Sequence, residues 1–154
     1  MKKTPLSYLL PSALIFAAGK IAAAPIIWGG ASTVSGDTDI LNAGTLNYAY
    51  TMSNASQTVN GVAFTGSNSP TALGPVATPN VSIAGVTGAN NTTAFGTGSG
   101  NPYAALSAGY KGLLAGANYT SSATPITLTL NNLTVGHNYA TQVWVNDNRS
   151  GIGQ

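Results

Sequence analysis

Cysteine is absent from the 154 residues. Its absence excludes disulfides, thiolate metal sites, a nucleophilic thiol and a lipid-modified cysteine. A chain without cross-links must hold itself together with an apolar core and hydrogen-bonded ladders. Charge is scarce too: only 5% of residues are Asp, Glu, Lys or Arg. Lys2, Lys3 and Lys20 lie in the first twenty residues, and beyond them stand Lys111 and Arg149 against Asp37, Asp39 and Asp147. The chain after residue 23 therefore has two cations and three carboxylates, a net charge near neutral. No basic patch exists to attract phosphates, so nucleic acid is not an expected partner, and no polybasic segment suits anionic lipid.

Long apolar runs are limited to the N-terminus. "MKK" is a short positive region, "PLSYLLPSALIFAAG" an apolar run of about 15 residues, and "IAAA" a small-residue cleavage site, the order of an export signal. The run is too short, and too interrupted by Pro5 and Pro11, to read as a membrane-spanning helix. Residues 1–23 are expected to be a signal peptide and 24–154 a single domain, secreted or at the cell surface, with no membrane span after cleavage.

What is abundant is Gly, Thr, Ser, Asn and Ala, interleaved with Val, Ile, Leu and Tyr. Low charge with substantial hydrophobicity argues against disorder and for a β-protein. "PIIW" (25–28) can open a first strand, and in "TLNYAYTM" (45–52) Leu46, Tyr48, Tyr50 and Met52 share a face. In "QTVNGVAFTG" (57–66) Asn60-Gly61 between β-prone runs predicts a hairpin. Residues 67–100 are rich in Pro, Gly and small polar residues and read as long loops, with "VSIAGV" (81–86) a short strand among them.

"NPYAALSAGYKGLLAGAN" (101–118) predicts one short helix around 102–115. Asn101 would be its cap, Pro102 its first residue and Gly116 its end, with Tyr103, Leu106, Tyr110, Leu113 and Leu114 on one face. Gly109 and Gly112 should weaken it by roughly 1 kcal/mol each relative to Ala. "TPITLTLNNL" (124–133) alternates, with Ile126, Leu128 and Leu130 on one side. In 139–146 the simplest arrangement turns Val143 and Val145 to the core and leaves Trp144 outside, or under the helix or a loop. The succession Val143-Trp144-Val145 suggests a strand covered on both faces.

Leu133, Gly136 and Tyr139 stand as L-x-x-G-x-x-Y between two alternating runs. The pattern resembles the tyrosine corner of fibronectin-like and immunoglobulin-like sandwiches, where the Tyr hydroxyl bonds back to the upstream backbone. A wider resemblance rests on "IIWGGASTVSGDTDILNAGTLNYAY", "TVNGVAFTG", "YKGLLAGANY" and "LTLNNLTVGHNYATQVWVNDNR". These look like a group of secreted bacterial β-sandwich proteins similar in outline to galactose-binding-like jelly rolls, often joined to C-terminal PEP-type sorting segments. The resemblance implies a mainly β, antiparallel jelly-roll-like sandwich. Such proteins continue for several further strands after the stretch resembling "WVNDNR", so this chain, ending in "SGIGQ", is expected to be an incomplete sandwich with an unpaired apolar edge.

Site chemistry is sparse. Asp37 and Asp39 lie two apart in a Gly-rich turn, and a Ser-His-Asp set from His137 and Asp147 has no G-x-S-x-G motif behind it, so no enzyme is expected. Asp37 and Asp39 could hold a structural calcium, as jelly rolls of this outline often do, or simply form a polar turn; "SGDTD" falls short of the six to eight oxygens calcium takes. Asn146, Asp147, Asn148 and Arg149 cluster after a strand. Planar amides, a carboxylate and an Arg beside an aromatic platform (Trp28, Trp144 or several Tyr) suit sugar recognition, and equally the cluster reads as a solvated loop. The functional expectation is a non-catalytic carbohydrate-binding or matrix-associated protein whose partners are polysaccharides or surface proteins. The alternatives are a structural or adhesive protein and, more remotely, part of a secreted hydrolase.

Overall fold

The computed structural model describes residues 27–69, 71–90, 92, 103–121 and 123–145. The chain divides into two compact units, Met1–Ala31 and Ser32–Gln154. In the first, residues 27–31 are exposed coil, with Ile27 and Trp28 largely in solvent. The strand expected over 25–28 does not form at 27–28, where Gly29 and Gly30 follow with nothing packed near them. Residues 25 and 26 lie outside the described residues.

The second unit is mainly strand with one short helix. β1 (Tyr50–Thr51), β2 (Gln57–Val59) and β3 (Val62–Gly66) form a sheet in the order β1-β3-β2, with β1 parallel and β2 antiparallel to β3. β4 (Ala72–Leu73), β5 (Val81–Ala84) and β8 (Thr127–Leu130) form an antiparallel sheet in the order β4-β5-β8, and β6 (Gly88–Asn90) pairs with β7 (Ala117–Tyr119). No closed barrel forms among the described residues.

The β2–β3 hairpin follows from its turn. Asn60 and Gly61 have φ of +48° and +78°, the doubly positive geometry of a type I′ turn, which matches the strands' right-handed twist. Val59 pairs with Val62, both buried, and Phe64 continues that face while Ala63 and Thr65 point outward. Asn60 is also tied to the chain before it. Its side-chain amide donates to the Ile40 carbonyl at 2.9 Å.

The helix carries the expected apolar face over a shorter span. Tyr103–Ala105 form one 3-10 turn, and α1 (Ala108–Leu113) begins at Ser107, whose hydroxyl accepts the Tyr110 N–H at 3.1 Å. Ser107 has extended backbone (φ −61°, ψ 160°) and breaks the helix in two, because it satisfies the orphan N–H groups locally. Asn101 and Pro102, expected to cap the longer helix, lie outside the described residues. Leu106, Tyr110, Leu113 and Leu114 are buried with Ile40, Val59, Val62 and Phe64 in one core cluster.

The glycines explain how closely this element packs. A Cβ on Gly109 would sit 2.9 Å from the Thr58 carbonyl oxygen, so α1 lies directly on β2. Gly116, expected to end the helix, instead follows it: α1 is capped at Leu114, and Gly116 is pressed against the Met52–Ser53 backbone. Its role is close approach and not a left-handed cap.

Residues 48–53 separate this cluster from a second one. Tyr48, Tyr50 and Met52 pack against Leu73, Val81 and Ile83, with Val86 and Leu130 beside them. Ala49 packs on the first cluster, and the buried Thr51 hydroxyl donates to the Leu113 carbonyl at 2.7 Å. Period-two alternation thus serves two apolar groups from one extended segment.

Three expectations are corrected. The stretch 67–100, read as loops around one strand, also contains β4 and β6, runs of two and three residues too short to show a period. In β8 only Leu130 packs inward, while Ile126 and Leu128 are 39% and 41% exposed. One edge of β8 has no strand partner among the described residues. Residues 139–145 form no ladder, and their parity is reversed: Val143 and Val145 are exposed, whereas Trp144 packs edge-on to Phe64 at 6.0 Å and donates its indole N–H to the Tyr110 hydroxyl at 3.0 Å. The large ring with one polar atom buries more area than either valine and finds a partner there. Of the alternatives for Trp144, the place under the helix is the one it takes.

Two predictions follow from packing. Gly116→Ala should cost about 1–3 kcal/mol, because the methyl meets backbone that cannot turn aside. Gly112→Ala meets only the flexible end of Gln57 and should be neutral or gain up to about 1 kcal/mol of helix propensity. Denaturation midpoints of the two variants check the contrast, and equal losses would contradict the stated packing. Trp144→Ala should cost about 2–3 kcal/mol, somewhat less than a wholly buried aromatic. Trp144→Phe should recover most of it, losing chiefly the bond to Tyr110. Equilibrium unfolding of both variants is the measurement.

Candidate functional site

Asp37 and Asp39, weighed as a calcium pair or a polar turn, hold local structure through hydrogen bonds. Asp37–Asp39 form a 3-10 turn. One Asp39 oxygen accepts the N–H groups of Ser35 and Gly36 at 2.6 and 2.9 Å, and the other accepts the Ser35 hydroxyl at 2.7 Å. These bonds, from the Ser35 N–H first, then the Gly36 N–H and the Ser35 hydroxyl, hold the exposed Asp39 carboxyl below the usual carboxylate range. Asp37 accepts the Ser107 hydroxyl at 2.6 Å, which orients the cap of α1. The described residues contain no group of three or more His, Cys, Asp or Glu side chains placed to share an ion. A pair of carboxylates already engaged in this way does not fit a calcium ion that takes six to eight oxygens.

Asn146, Asp147 and Arg149 lie outside the described residues. The segment before them is anchored by an amide clip. Gln142 accepts the Leu41 N–H at 2.8 Å and donates to the Asp39 carbonyl at 2.9 Å, replacing ladder bonds with one side chain. Trp144, considered as a sugar platform, has its ring packed on the first core cluster. Trp28 stays exposed in the first unit.

A different set of side chains gathers around Tyr48, Tyr50 and the turn at 134–137. Leu133, half-buried, leads into that turn. The His137 N–H donates to the Thr134 carbonyl at 3.4 Å, and Gly136 has φ of +86°, the type II geometry in which glycine is favoured at the third position. The turn delivers His137 and Tyr139 to the same side, their rings stacked at 6.4 Å and 24°. The Tyr139 hydroxyl accepts the Thr134 N–H at 2.7 Å and donates to the Thr134 carbonyl at 3.3 Å, the return to upstream backbone that a tyrosine corner makes. Tyr139 is nonetheless 39% exposed, so its ring is available at the surface.

Tyr48 and Tyr50 stack at 5.9 Å and 29°. Burial first, then the neighbouring Tyr50 and Tyr139 phenols, push the Tyr48 phenol up. The Tyr48 hydroxyl is buried with no hydrogen-bond partner among the described residues. The rings form two stacked pairs, Tyr48 with Tyr50 and His137 with Tyr139. Amides stand beside them. The side-chain amide of Asn132, a residue at φ of +59°, donates to the Asn80 side-chain oxygen Oδ1 at 2.9 Å, and Asn80 Nδ2 in turn donates to the Tyr50 hydroxyl at 2.6 Å. Asn131 fixes the same corner through Pro79 and Ser82, both at 3.0 Å.

These amides were not among the candidates from sequence, and nothing in their spacing marks them: Asn80 and Asn132 are 52 residues apart and meet only because β5 pairs with β8. The tyrosines carried a signal, since Tyr48 and Tyr50 alternate and Tyr139 follows a Gly turn. Among the described residues no helix is long and apolar enough to cross a membrane. No protein-family model, curated protein or solved structure matches this chain.

The Asp39 bonds carry a pH dependence. A carboxylate whose folded pKa is depressed stabilises the fold above its unfolded pKa, and that contribution disappears as pH falls through the folded value. Asp39→Asn should therefore lower the melting temperature most at neutral pH, and the gap to wild type should close as pH falls from neutrality to below about 4, which flattens the acid limb. The effect should be small because the group is exposed. Thermal melts across that range check it, and an acid limb as steep as wild type would assign the acid sensitivity elsewhere.

Proposed function

We propose that this chain is a secreted, non-catalytic β-sandwich that binds carbohydrate at the cell surface or in an extracellular matrix, with the His137–Tyr139 pair as its aromatic platform. The observation that carries the reading is that stacked, solvent-reachable pair, in a fold whose Asn80 and Asn132 amides are paired near Tyr50. Flat ring faces match the C–H faces of sugars, and planar amides offer paired donors and acceptors to hydroxyls. Near-neutral charge suits an uncharged glycan. Support for the sandwich comes from residues 48–53, which pack on a different apolar cluster from each face. Export rests on the N-terminal sequence alone.

The test is retention on a panel of insoluble and soluble polysaccharides. Tyr139→Ala should abolish retention, and Tyr139→Phe should keep it with a modest loss of stability from the missing Thr134 bonds. Retention of Tyr139→Ala at the wild-type level would overturn the platform.

A structural or adhesive role is the second reading. It is favoured by Ile126, Leu128, Val143 and Val145, which are exposed, and by the edge of β8 that has no strand partner among the described residues. Concentration-dependent self-association with no glycan retained would select it over the first.

A further inference from the structure

An open cleft of about 300 Å³ lies beside Tyr50 and is lined by Tyr50, Thr65, Gly66, Ser67, Gly74 and Pro75. β1 and β3 build one side: Tyr50 is in register with Thr65, and Ser67 follows directly as its N–H bonds the Thr51 carbonyl at 3.0 Å. The segment after β4 builds the other. Gly74 has φ of +104°, and a Cβ there would stand 2.8 Å from the Tyr50 hydroxyl oxygen, so glycine is what lets that hydroxyl and Asn80 come together at the rim.

The hydrogen bonds at this rim have a direction. Asn132 donates to Asn80, and Asn80 donates to the Tyr50 oxygen. Tyr50 is thereby an acceptor for the protein, and its own O–H has no acceptor among the described residues. A donor at the end of such a series is strengthened by the bonds behind it. The Thr65 hydroxyl makes no bond among the described residues. The Ser67 hydroxyl accepts the Ser69 N–H at 3.2 Å, which leaves its proton free. Three residues whose hydroxyls have protons to give therefore line one small space. No charged side chain lines it.

That lining restricts the occupant. A carboxylate or phosphate would lose hydration with no cation to replace it. A purely apolar group would leave the hydroxyls without partners. An uncharged molecule dense in hydroxyls satisfies them, and the volume lies at the small end of ligand pockets, which span roughly 300–1,000 Å³. We propose that the cleft at Tyr50, Thr65, Ser67 and Gly74 is a subsite for one neutral sugar ring, distinct from the His137–Tyr139 platform. The proposal rests on the carbohydrate reading, to which it adds a second point of contact and a preference for uncharged sugars.

The experiment is an amide NMR titration of the full chain with glucose, galactose and mannose, with glucuronate and glucose 6-phosphate as charged probes. Thr65→Trp fills the cleft from an outward-facing position of β3, and Ser67→Ala removes one donor with little risk to folding. Saturable shifts at Thr65, Gly66, Ser67 and Gly74 are expected with at least one neutral hexose, at a Kd on the order of millimolar. T65W should abolish them while polysaccharide retention through Tyr139 persists, and S67A should weaken binding by roughly tenfold or less, the range for one hydrogen bond. Thermal melts establish that both variants fold, and S67A carries the test if T65W does not. Hexose shifts confined to His137 and Tyr139, or none while polysaccharide is still retained, would overturn the subsite and leave the carbohydrate reading standing. Equal response to the charged probes would overturn the neutral preference. If neither hexose nor polysaccharide binds, the subsite and the carbohydrate reading fall together.

Discussion

The indole N–H of Trp144 donates to the hydroxyl of Tyr110, a side chain with no exposed surface, and the segment carrying the candidate platform depends on that contact. Tyr110 is held at the centre of the first core cluster because α1 is pressed onto β2 through Gly109. Trp144 caps the cluster from outside, edge-on to Phe64. With Gln142 clipped to residues 39 and 41, it fixes a stretch that has no ladder bonds of its own. Burial pushes the Tyr110 phenol up, the Trp144 bond acts against that shift, and Asp39 and Asp37 add to it, so the phenol stays a neutral partner for the indole.

Scarcity of charge shapes how distant parts are joined. Where other proteins use ion pairs, this one uses neutral hydroxyls and amides across long sequence separations. Ser107 reaches Asp37, Thr51 reaches Leu113, Asn132 reaches Asn80 and Gln142 reaches Asp39. Such bonds contribute about 0.5–1.5 kcal/mol each and are insensitive to salt where both partners are neutral. They also leave the surface rich in donors and acceptors without fixed charge. The same chemistry that closes the fold therefore produces a cleft and a platform suited to neutral, hydroxylated ligands.

Apolar exposure is unevenly distributed. Ile126 and Leu128 stand open at a strand, β8, one edge of which has no strand partner among the described residues, and Val143 and Val145 are exposed on either side of Trp144. Alternation alone would have buried them, but burial requires a neighbour on the apolar face, and the second core cluster reaches Leu130 while Ile126, Leu128 and the valines stay exposed.

The sequence by itself determined the local events. Asn60-Gly61 specifies a hairpin because only residues tolerant of positive φ make the turn that suits twisted strands. Gly136 and Tyr139 specify a turn and a return bond within six residues. Leu106, Tyr110, Leu113 and Leu114 specify an apolar face whether or not the helix is continuous. Tertiary structure decided the rest. Trp144 or its valine neighbours could face inward by period alone, and the choice fell to whichever side chain found Phe64 and the Tyr110 hydroxyl. Helix propensity marks Gly109 as a weakness and Gly116 as a helix end, yet each permits an approach to backbone 50 or more residues away that a methyl would forbid. The amides at Asn80 and Asn132 become a pair only when β5 and β8 align. Periodicity is a property of one segment, whereas burial and partnership belong to two, and no single segment encodes which other one it will meet.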